Sequence, residues 1–468
     1  MNSFAGHLYT VTLTAICAAW ILSGCTFSQP AERQSEKELL PDSYSVPGSP
    51  GQPAERWWET FEDQQLNALV EEALAQNFSL AQSWARLRQA QALAVQRGAS
   101  LYPDLSLNAA ASSQKSGANN AETVELYSLG LSSSYEIDLW GRFRSQRQAA
   151  VITAEASKED LMAAAMTISA NVVTRWIGII SQRMQKKLLQ QQLEANQILL
   201  ELVELRFRKS LASALDVFQQ RQVVEQSRAQ LPLVEQAERQ LMNELAVLVG
   251  RIPFSVPRIQ SQTLKMPATI PDTGLPAQLL TARPDIRAAL RRLESADWAV
   301  AAARADRLPQ LSLSAGAGYE SGQLSDLFDN WITNLAAGLT APLFDGRRRQ
   351  AEIDRLRAAV DENLANYRQT VLTAVQEVED ALISETKLRE HIDRLQGQLD
   401  AARNALNEAR SRYRNGLNDY LPVLTQLLTV QTLERTEIQR RADLLIARVD
   451  LYRSLGGTWT DKLISRQK

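Results

Sequence analysis

Few side chains of this sequence could take part in chemistry. The chain has two cysteines, Cys17 and Cys25, and two histidines, His7 and His391. The apolar stretch from Leu8 to Leu22 is too short to span a bilayer and is typical of the core of a secretory signal. Removal of that signal would leave one cysteine, Cys25, whose thiol we expect to carry lipid, and one histidine, His391. This excludes a Cys/His nucleophile pair and a histidine-rich metal site. We therefore expect neither an enzyme nor a metal-binding protein.

Cys25 has the sequence context of a lipid-modified cysteine. The residues before it, Leu22-Ser23-Gly24, resemble the lipobox of bacterial lipoproteins, in which cleavage of the signal peptide (1–24) leaves a thiol that receives diacylglycerol. We expect this group and an N-acyl chain on Cys25, and no other cofactor. Because no Lys or Arg precedes the apolar stretch, an ordinary signal peptide stays as the alternative.

The rest of the sequence is an internal tandem duplication with a spacing of 206 residues. A period this long exceeds the ~20 to 50 residues of the common repeats, so we predict one body made of two similar halves. The anchors are Asn77-Phe78-Ser79-Leu80 with Arg283-Pro284-Asp285-Ile286, Pro103 with Pro309, Arg206-Phe207 with Arg412-Tyr413, Gly250 with Gly456 and, one residue out of step, Gly141-Arg142 with Gly346-Arg347.

The duplication and the Pro and Gly pattern divide the chain into segments. A proline-rich tether occupies 25–56. The first repeat (57–255) contains a helix, a β-hairpin at 104–138, a long helix at 142–209 and a helix at 213–249. After a linker (256–274), the second repeat (275–456) contains a helix, a hairpin at 310–341, a long helix at 346–414 and a helix at 419–455, and a tail (457–468) follows.

Both predicted hairpins alternate apolar with small or polar side chains. Leu105 and Leu107 oppose Ser106 and Asn108, for example. Strands of about 10 to 12 residues with this pattern are typical of transmembrane barrels, although a half-buried soluble sheet alternates in the same way. Four such strands cannot close in a membrane, because open edges leave backbone groups without partners and the smallest barrels have eight strands. The chain would then form a dimer or a trimer.

The long helices end in a pattern that predicts coiled-coil packing. At about 1.5 Å per residue each helix would be roughly 100 Å long. Apolar residues in the far part of the second helix step by four and three, a period of 3.5 that imposes a left-handed coil. These residues are Leu388, Ile392, Leu395, Leu399, Ala402, Leu406, Ala409 and Tyr413, and the first helix has Leu189, Leu193, Asn196, Leu200, Val203 and Phe207.

Several motifs together identify a family. They are Cys25 with its lipobox, Trp57-Trp58-Glu59-Thr60-Phe61, Arg283-Pro284-Asp285-Ile286-Arg287, Ala341-Pro342-Leu343-Phe344-Asp345-Gly346, and Arg412-Tyr413 with Gly416 and Tyr420-Leu421. The sequence resembles the TolC-like outer membrane efflux channels (outer membrane factors), in the lipoprotein branch typified by OprM and NodT-type proteins. The resemblance implies an α+β membrane protein, a homotrimer whose twelve strands, four per chain, form one β-barrel continued by a periplasmic α-helical coiled-coil barrel.

The resemblance also implies a function and partners. Such a channel, lipid-anchored in the outer membrane and extending into the periplasm, passively exports drugs, solvents or other toxic small molecules. A periplasmic membrane-fusion adaptor and an inner-membrane pump, commonly of the resistance-nodulation-division class, deliver them. The alternatives are a channel for protein secretion and a lipid-anchored coiled-coil scaffold without a pore. A net charge of −2 gives no indication of nucleic acid as a partner.

The resemblance assigns a periplasmic gate to the helix turns. Leu421 matches the constricting leucine, while Thr425 stands where those channels have an acidic ring. Arg412 and Tyr413 match residues that hold the closed state, and Asp216 is a partner that we predict for them. Ser213 with Asp216 also has the spacing of a helix cap, and Leu421 could serve coiled-coil packing instead.

Six arginines crowd the first turns of the long helices, where the helix dipole disfavours cations. We hypothesise that they surround the periplasmic rim of the barrel near anionic lipid headgroups, with a solvated helix face as the alternative. They are Arg142, Arg144, Arg147, Arg347, Arg348 and Arg349.

Overall fold

The structure is a computed structural model and describes residues 40–45, 56–115, 117, 123–255, 259–266, 271–457 and 459–460. The predicted signal peptide and Cys25 lie outside the described residues. The described chain forms two compact units. The first contains Ala85–Lys158 and Ala288–Arg368, and the second contains the remainder.

The first unit contains a four-stranded antiparallel sheet. Its strands are β1 (Asp104–Lys115), β2 (Thr123–Ile137), β3 (Gln310–Ser321) and β4 (Trp331–Thr340). They lie in the order β1-β2-β3-β4, so the two hairpins are joined through β2 and β3. Within the described chain, β1 and β4 each have one edge without a neighbouring strand.

The register aligns the alternating side chains across the sheet. Ala109 lies opposite Leu129, Leu129 opposite Tyr319, and Tyr319 opposite Trp331. On the other face, Ser132 lies opposite both Ser106 and Gly316. A slip of one residue would mix the two faces, because successive side chains point to opposite sides of a strand. The sheet therefore has one mainly apolar face and one face of mainly small and polar residues.

Glycine is required where β2 meets β3. Gly130 and Gly318 are paired, and a Cβ atom added to Gly318 would lie 2.7 Å from the Cα of Gly130. Real Cβ contacts are essentially never that short, so a side chain here would push the two hairpins apart.

Eight α-helices occur in the described residues, and three pairs of them reflect the duplication. The helices are α1 (Gln64–Gln76), α2 (Phe78–Ala99), α3 (Arg142–Arg208), α4 (Ala214–Leu248), α5 (Leu279–Ala282), α6 (Pro284–Ala305), α7 (Arg348–Arg414) and α8 (Leu421–Leu455). The equivalent helices have equal lengths: 22 residues in α2 and α6, 67 in α3 and α7, and 35 in α4 and α8. One 18-residue window of α3 has a mean hydropathy of 1.3, and 61% of it is buried inside the protein, as expected for a core helix.

Two helices of the second repeat begin two residues later than the sequence predicts. The predicted helix at 346–414 begins at Arg348, because Gly346 and Arg347 have left-handed φ angles of 61° and 69°. The predicted helix at 419–455 begins at Leu421. Pro422 is its second residue, a position where the missing N–H of proline costs no helical hydrogen bond. In the first repeat, α3 ends one residue before 209 and Ser213 and Val249 flank α4 as caps.

The second unit contains the predicted coiled-coil seam. Leu395, Leu399, Leu406 and other apolar residues of α7 are buried in one cluster with residues of α8 and with Val203 of α3. The members from α8 are Val423, Leu424, Leu427, Val430 and Leu433. A strict 3.5-residue repeat thus produces a buried stripe between helices, as heptad packing requires.

Residues of the predicted tether and tail are packed in the second unit. Tyr44 is buried, and the backbone N–H of Ser45 donates a 2.8 Å hydrogen bond to Glu379. Trp57 stacks on Tyr452 at 5.4 Å between ring centroids. Trp459, which the sequence assigns to the tail, meets Trp58 edge to face at 4.9 Å. The folded body therefore begins before residue 57 and extends past residue 456.

Candidate functional site

The two helix turns of the second unit have the same local geometry. The N–H of Leu211 donates to the carbonyl of Arg206 at 2.8 Å, and the N–H of Leu417 donates to Arg412 at 2.9 Å. This is the Schellman pattern, which needs a left-handed residue just before the donor. Ser210 and Gly416 supply it, with φ of 56° and 69°. The second turn (415–420) has one residue more than the first (209–213).

Leu421 and Thr425 share the exposed face of the first turn of α8. Leu421 is 57% exposed although it is a large apolar side chain. Thr425 follows four residues later, is also exposed, and its hydroxyl donates to the carbonyl of Leu421 at 3.0 Å. An exposed leucine at a helix start is available to meet another surface, as a constricting residue would be.

Asp216 acts as a helix cap in the structure. Its carboxylate accepts from the N–H of Ser213 at 2.9 Å, and its own N–H donates to the Ser213 hydroxyl at 3.1 Å. Arg412 instead donates to Glu408 at 2.8 Å. The predicted pair of Arg412 and Asp216 is therefore not formed among the described contacts, because each group is satisfied within its own helix.

Tyr413 is buried between charged and aromatic neighbours. The guanidinium carbon of Arg206 lies 4.5 Å from its ring centroid, within the range of a cation–π interaction. The ring of Tyr420 lies 5.4 Å away on the centroids. Burial raises the pKa of Tyr413, and the nearby Arg206 opposes that rise. Tyr413 therefore connects α3 to the turn that precedes α8.

A chain of buried hydrogen bonds joins that turn to the helices of both repeats. The Tyr420 hydroxyl donates to Gln220 at 2.5 Å, and the Gln220 amide donates to the carbonyl of Asn196 at 2.8 Å. The amide of Gln431 donates to the Asn196 side chain at 2.8 Å. In turn, Asn196 donates to Ser227 at 3.1 Å. Since Gln220 and Asn196 are fully buried, the loss of one partner would leave a polar group unsatisfied at a cost of about 1 to 3 kcal/mol.

Sequence reasoning missed this network. Gln431 and Asn196 are 235 residues apart, and no local pattern links them. One signal was present: Asn196 interrupts the apolar coiled-coil positions of α3, and a polar residue in such a seam commonly fixes the register of the helices. The partners Gln220 and Tyr420 give no such signal.

Three of the six rim arginines have acidic partners in the first unit. Arg142 makes two hydrogen bonds to Glu136, at 2.7 and 2.8 Å. Arg144 pairs with Asp138 at 3.2 Å. Arg349 pairs with Asp306 at 2.9 Å and with Asp345 at 3.2 Å. The exposed Arg147 and Arg347 form no ion pair within the part of the chain that the structure describes, and contact with lipid headgroups stays a prediction for them.

Carboxylates at the helix starts explain why cations are tolerated there. The backbone N–H groups of Phe143 and Arg144 donate to Asp138, and that of Arg349 donates to Asp345. Burial would raise the pKa of Asp345, but hydrogen bonds from Arg349 and the positive charges of Arg349 and Arg348 outweigh burial and hold this pKa below its usual range. A negative charge at each helix start offsets the unfavourable dipole, so the arginines beside it are stabilised.

Both repeats of the chain match one known protein family. The model of the outer membrane efflux protein family matches residues 69–251 and again 275–457. The chain is 34% identical over 417 residues to the pyoverdine export outer membrane protein OpmQ of Pseudomonas aeruginosa, covering 86% of this chain and 87% of OpmQ. It is 31% identical over 465 residues to the outer membrane protein OprJ of the same species, with 96% of each covered.

More distant relatives keep the whole length. The cation efflux system protein CusC of Escherichia coli is 27% identical over 459 residues, covering 96% of this chain and 98% of CusC. Among solved structures, the outer-membrane channel OprN superposes with a TM-score of 0.86 at 28% identity, covering 93% of this chain and 100% of OprN.

Proposed function

The chain belongs to the outer membrane efflux protein family, and from this premise we propose that it passively exports small molecules delivered by an inner-membrane pump of the resistance-nodulation-division class. As a family member it is a trimeric outer membrane channel of a tripartite system with a periplasmic adaptor, and it is not an enzyme. Relatives are named for pyoverdine export and for cation efflux. Family membership therefore does not select one cargo.

One observation supports the channel most directly: most large apolar residues of the four strands are in register on one face of the sheet, and Val124, Leu126 and Ile332 are the exceptions on the other face. An apolar outer face with a small and polar inner face is what a transmembrane barrel needs. The free edges of β1 and β4 must be paired in a bilayer, because unpaired backbone groups cost several kcal/mol there. Three chains joined edge to edge leave no strand unpaired.

The gate that we propose lies at the helix turns of the second unit. Leu421 would narrow the passage, and the hydrogen bonds from Tyr420 through Gln220 and Asn196 to Gln431 would hold α8 against α3 and α4 in the closed state. Since these bonds cross from one repeat to the other, an opening movement of α8 has to break them. Arg412 and Tyr413 border the same turn, and Asp216 contributes by capping α4.

Planar-bilayer conductance tests the gated channel. The detergent-purified trimer should give rare openings, and Leu421→Ser should raise the open probability by about tenfold or more, because a gate held by ~1 to 2 kcal/mol of apolar contact would lose it. Leu215→Ser is the matched control, since Leu215 is the sequence counterpart of Leu421 and is 63% exposed.

Two outcomes would contradict the proposal. Absence of conductance in both the wild type and the Leu421→Ser protein would remove the gated channel. An equal increase in the Leu215→Ser protein would show that Leu421 has no special part in closing it.

A further inference from the structure

A cavity in the first unit collects charged side chains from helices of both repeats. It has a volume of about 600 Å³ and lies against α2, α3, α6 and α7. Five of its thirteen lining residues are alanines, and five are charged: Arg97, Asp306, Arg348, Arg349 and Glu352. Small apolar side chains leave open space, so the charged groups dominate what the cavity can attract.

Contacts with the sheet identify the side on which this cavity opens. Asp306, in its lining, lies 3.8 Å from Arg142, and Arg142 is bonded to both oxygens of Glu136. Glu136 lies opposite Ser312, on the face of small and polar residues. In an outer membrane barrel the apolar face contacts lipid, so this other face is turned to the lumen. The cavity is therefore on the lumen side.

The charges in the cavity do not cancel. Arg349 is paired with Asp306 and Asp345, and Glu352 is paired with Arg355 at 2.7 Å. Arg97 and Arg348 are exposed, and neither forms an ion pair within the part of the chain that the structure describes. Arg348 acts on Asp345 only from a distance, as one of several groups that lower the pKa of that carboxyl. The two unpaired guanidinium groups stay available to a solute, and the charged groups named here sum to one positive charge per chain because Arg349 is matched by two carboxylates.

We propose that Arg97 and Arg348 of the three chains form a ring of guanidinium groups that binds anionic small molecules transiently in the lumen, where the helices meet the barrel. The inference rests on the proposed channel function and adds a preference for cargo charge. Guanidinium groups match carboxylate and phosphate groups through paired hydrogen bonds. Low-dielectric walls strengthen the field of clustered charges, so the ring raises the local concentration of anions.

The test is the reversal potential of the reconstituted trimer across a KCl gradient. Replacing both residues, Arg97→Gln with Arg348→Gln, should lower the ratio of chloride to potassium permeability by about threefold, while single-channel openings persist. Only a moderate change in this ratio is expected, because at ~0.15 M salt the field of each charge is screened beyond about 8 Å. Arg147→Gln with Arg347→Gln is the matched control: it also removes two charges per chain, from exposed residues that do not line the cavity.

Variants that keep the positive charge distinguish a loss of the charged ring from a loss of folding. Arg97→Lys with Arg348→Lys should keep the wild-type reversal potential. An unchanged reversal potential in the double Gln protein with normal conductance would overturn the ring and leave the channel intact. An equal shift in the protein with Arg147→Gln and Arg347→Gln would also overturn it, because position in the cavity would not matter. Absence of any wild-type conductance would overturn the channel function, and the ring with it.

Discussion

Ser210 and Gly416 adopt the same left-handed backbone conformation with different side chains. Glycine enters this region without steric cost, whereas a side chain costs roughly 1 to 2 kcal/mol there. No atom lies within 4 Å of the position that a Cβ on Gly416 would take. A substitution at either residue therefore tests backbone strain alone.

Gly416→Ala should lower the free energy of unfolding by about 1 kcal/mol per chain, and Ser210→Gly should raise it by up to about 1 kcal/mol. Far-UV circular dichroism during denaturation of the solubilised trimer measures both. The two substitutions are controls for each other, since they occupy equivalent turns. A shift of the same sign in both proteins would be incompatible with this explanation.

At the level of residues, the sequence predicts what local spacing controls. The Ser213–Asp216 cap follows from a three-residue pattern, and the structure contains it. The predicted pairing of Arg412 with Asp216 is not formed among the described contacts, because short-range partners satisfy both groups, and it stays a prediction. The roles of Leu421, Arg412, Tyr413 and Thr425 in gating stay predictions. Bonds such as the one between Gln431 and Asn196 depend on how helices pack, which no local pattern encodes.

The long helices contain two glycines in different surroundings. A Cβ atom added to Gly397 of α7 would have no other atom within 4 Å, whereas one added to Gly178 of α3 would lie 3.1 and 3.5 Å from side-chain carbons of Leu241. Glycine weakens a helix interior by about 1 kcal/mol relative to alanine. Only at Gly178 does a packing contact oppose the gain that alanine would bring.

Gly397→Ala should therefore stabilise the protein by up to about 1 kcal/mol per chain, while Gly178→Ala should give a smaller gain or a loss. Denaturation midpoints of the two variants, measured side by side against the wild type, decide the matter. If Gly178→Ala proved the more stabilising of the two, the contact with Leu241 would have no energetic weight.

At the level of elements, the periodicity of apolar residues predicts how helices and strands pack. Unusual backbone conformations have no such signal in the sequence. The 3.5-residue repeat in α7 predicts the seam that is buried against α8, and alternation predicts the two faces of the sheet. The start of α7 was predicted two residues early, because Arg347 gives no sign of its left-handed φ of 69°. Such a conformation depends on the strand-to-helix connection around it.

For the whole molecule, the proposed anchor on Cys25 yields a direct prediction. Cys25→Ala should abolish incorporation of labelled fatty acid, because a lipoprotein is acylated only on the cysteine that follows its signal peptide. Cys17→Ala is the matched control and should keep the label. Radiolabelled palmitate followed by immunoprecipitation measures both. Label that persists in the Cys25→Ala protein would exclude this cysteine as the anchor.

The duplication is readable from the sequence alone, since the two halves repeat at 206 residues. The need to oligomerise follows only if the four strands are transmembrane, because four strands cannot close in a membrane. The choice of a trimer over a dimer could not be made from the residues alone, because barrels of eight and of twelve strands are both possible. It came from the resemblance to a known family. The contact of Trp459 with Trp58 was also missed, since nothing in a short terminal segment indicates that it is packed.

The later helix start in the second turn has a consequence for symmetry. The spacing of 206 residues is the same before the turn, at Arg206 and Arg412, and after it, at Gly250 and Gly456, so no residue is inserted. The two turns differ instead in their caps, because Ser213 caps α4 through its side chain whereas Tyr420 precedes α8 without a side-chain cap bond. The six helix turns of a trimer are therefore of two kinds that alternate around the axis. A partner with identical docking elements would find three positions of each kind rather than six of one.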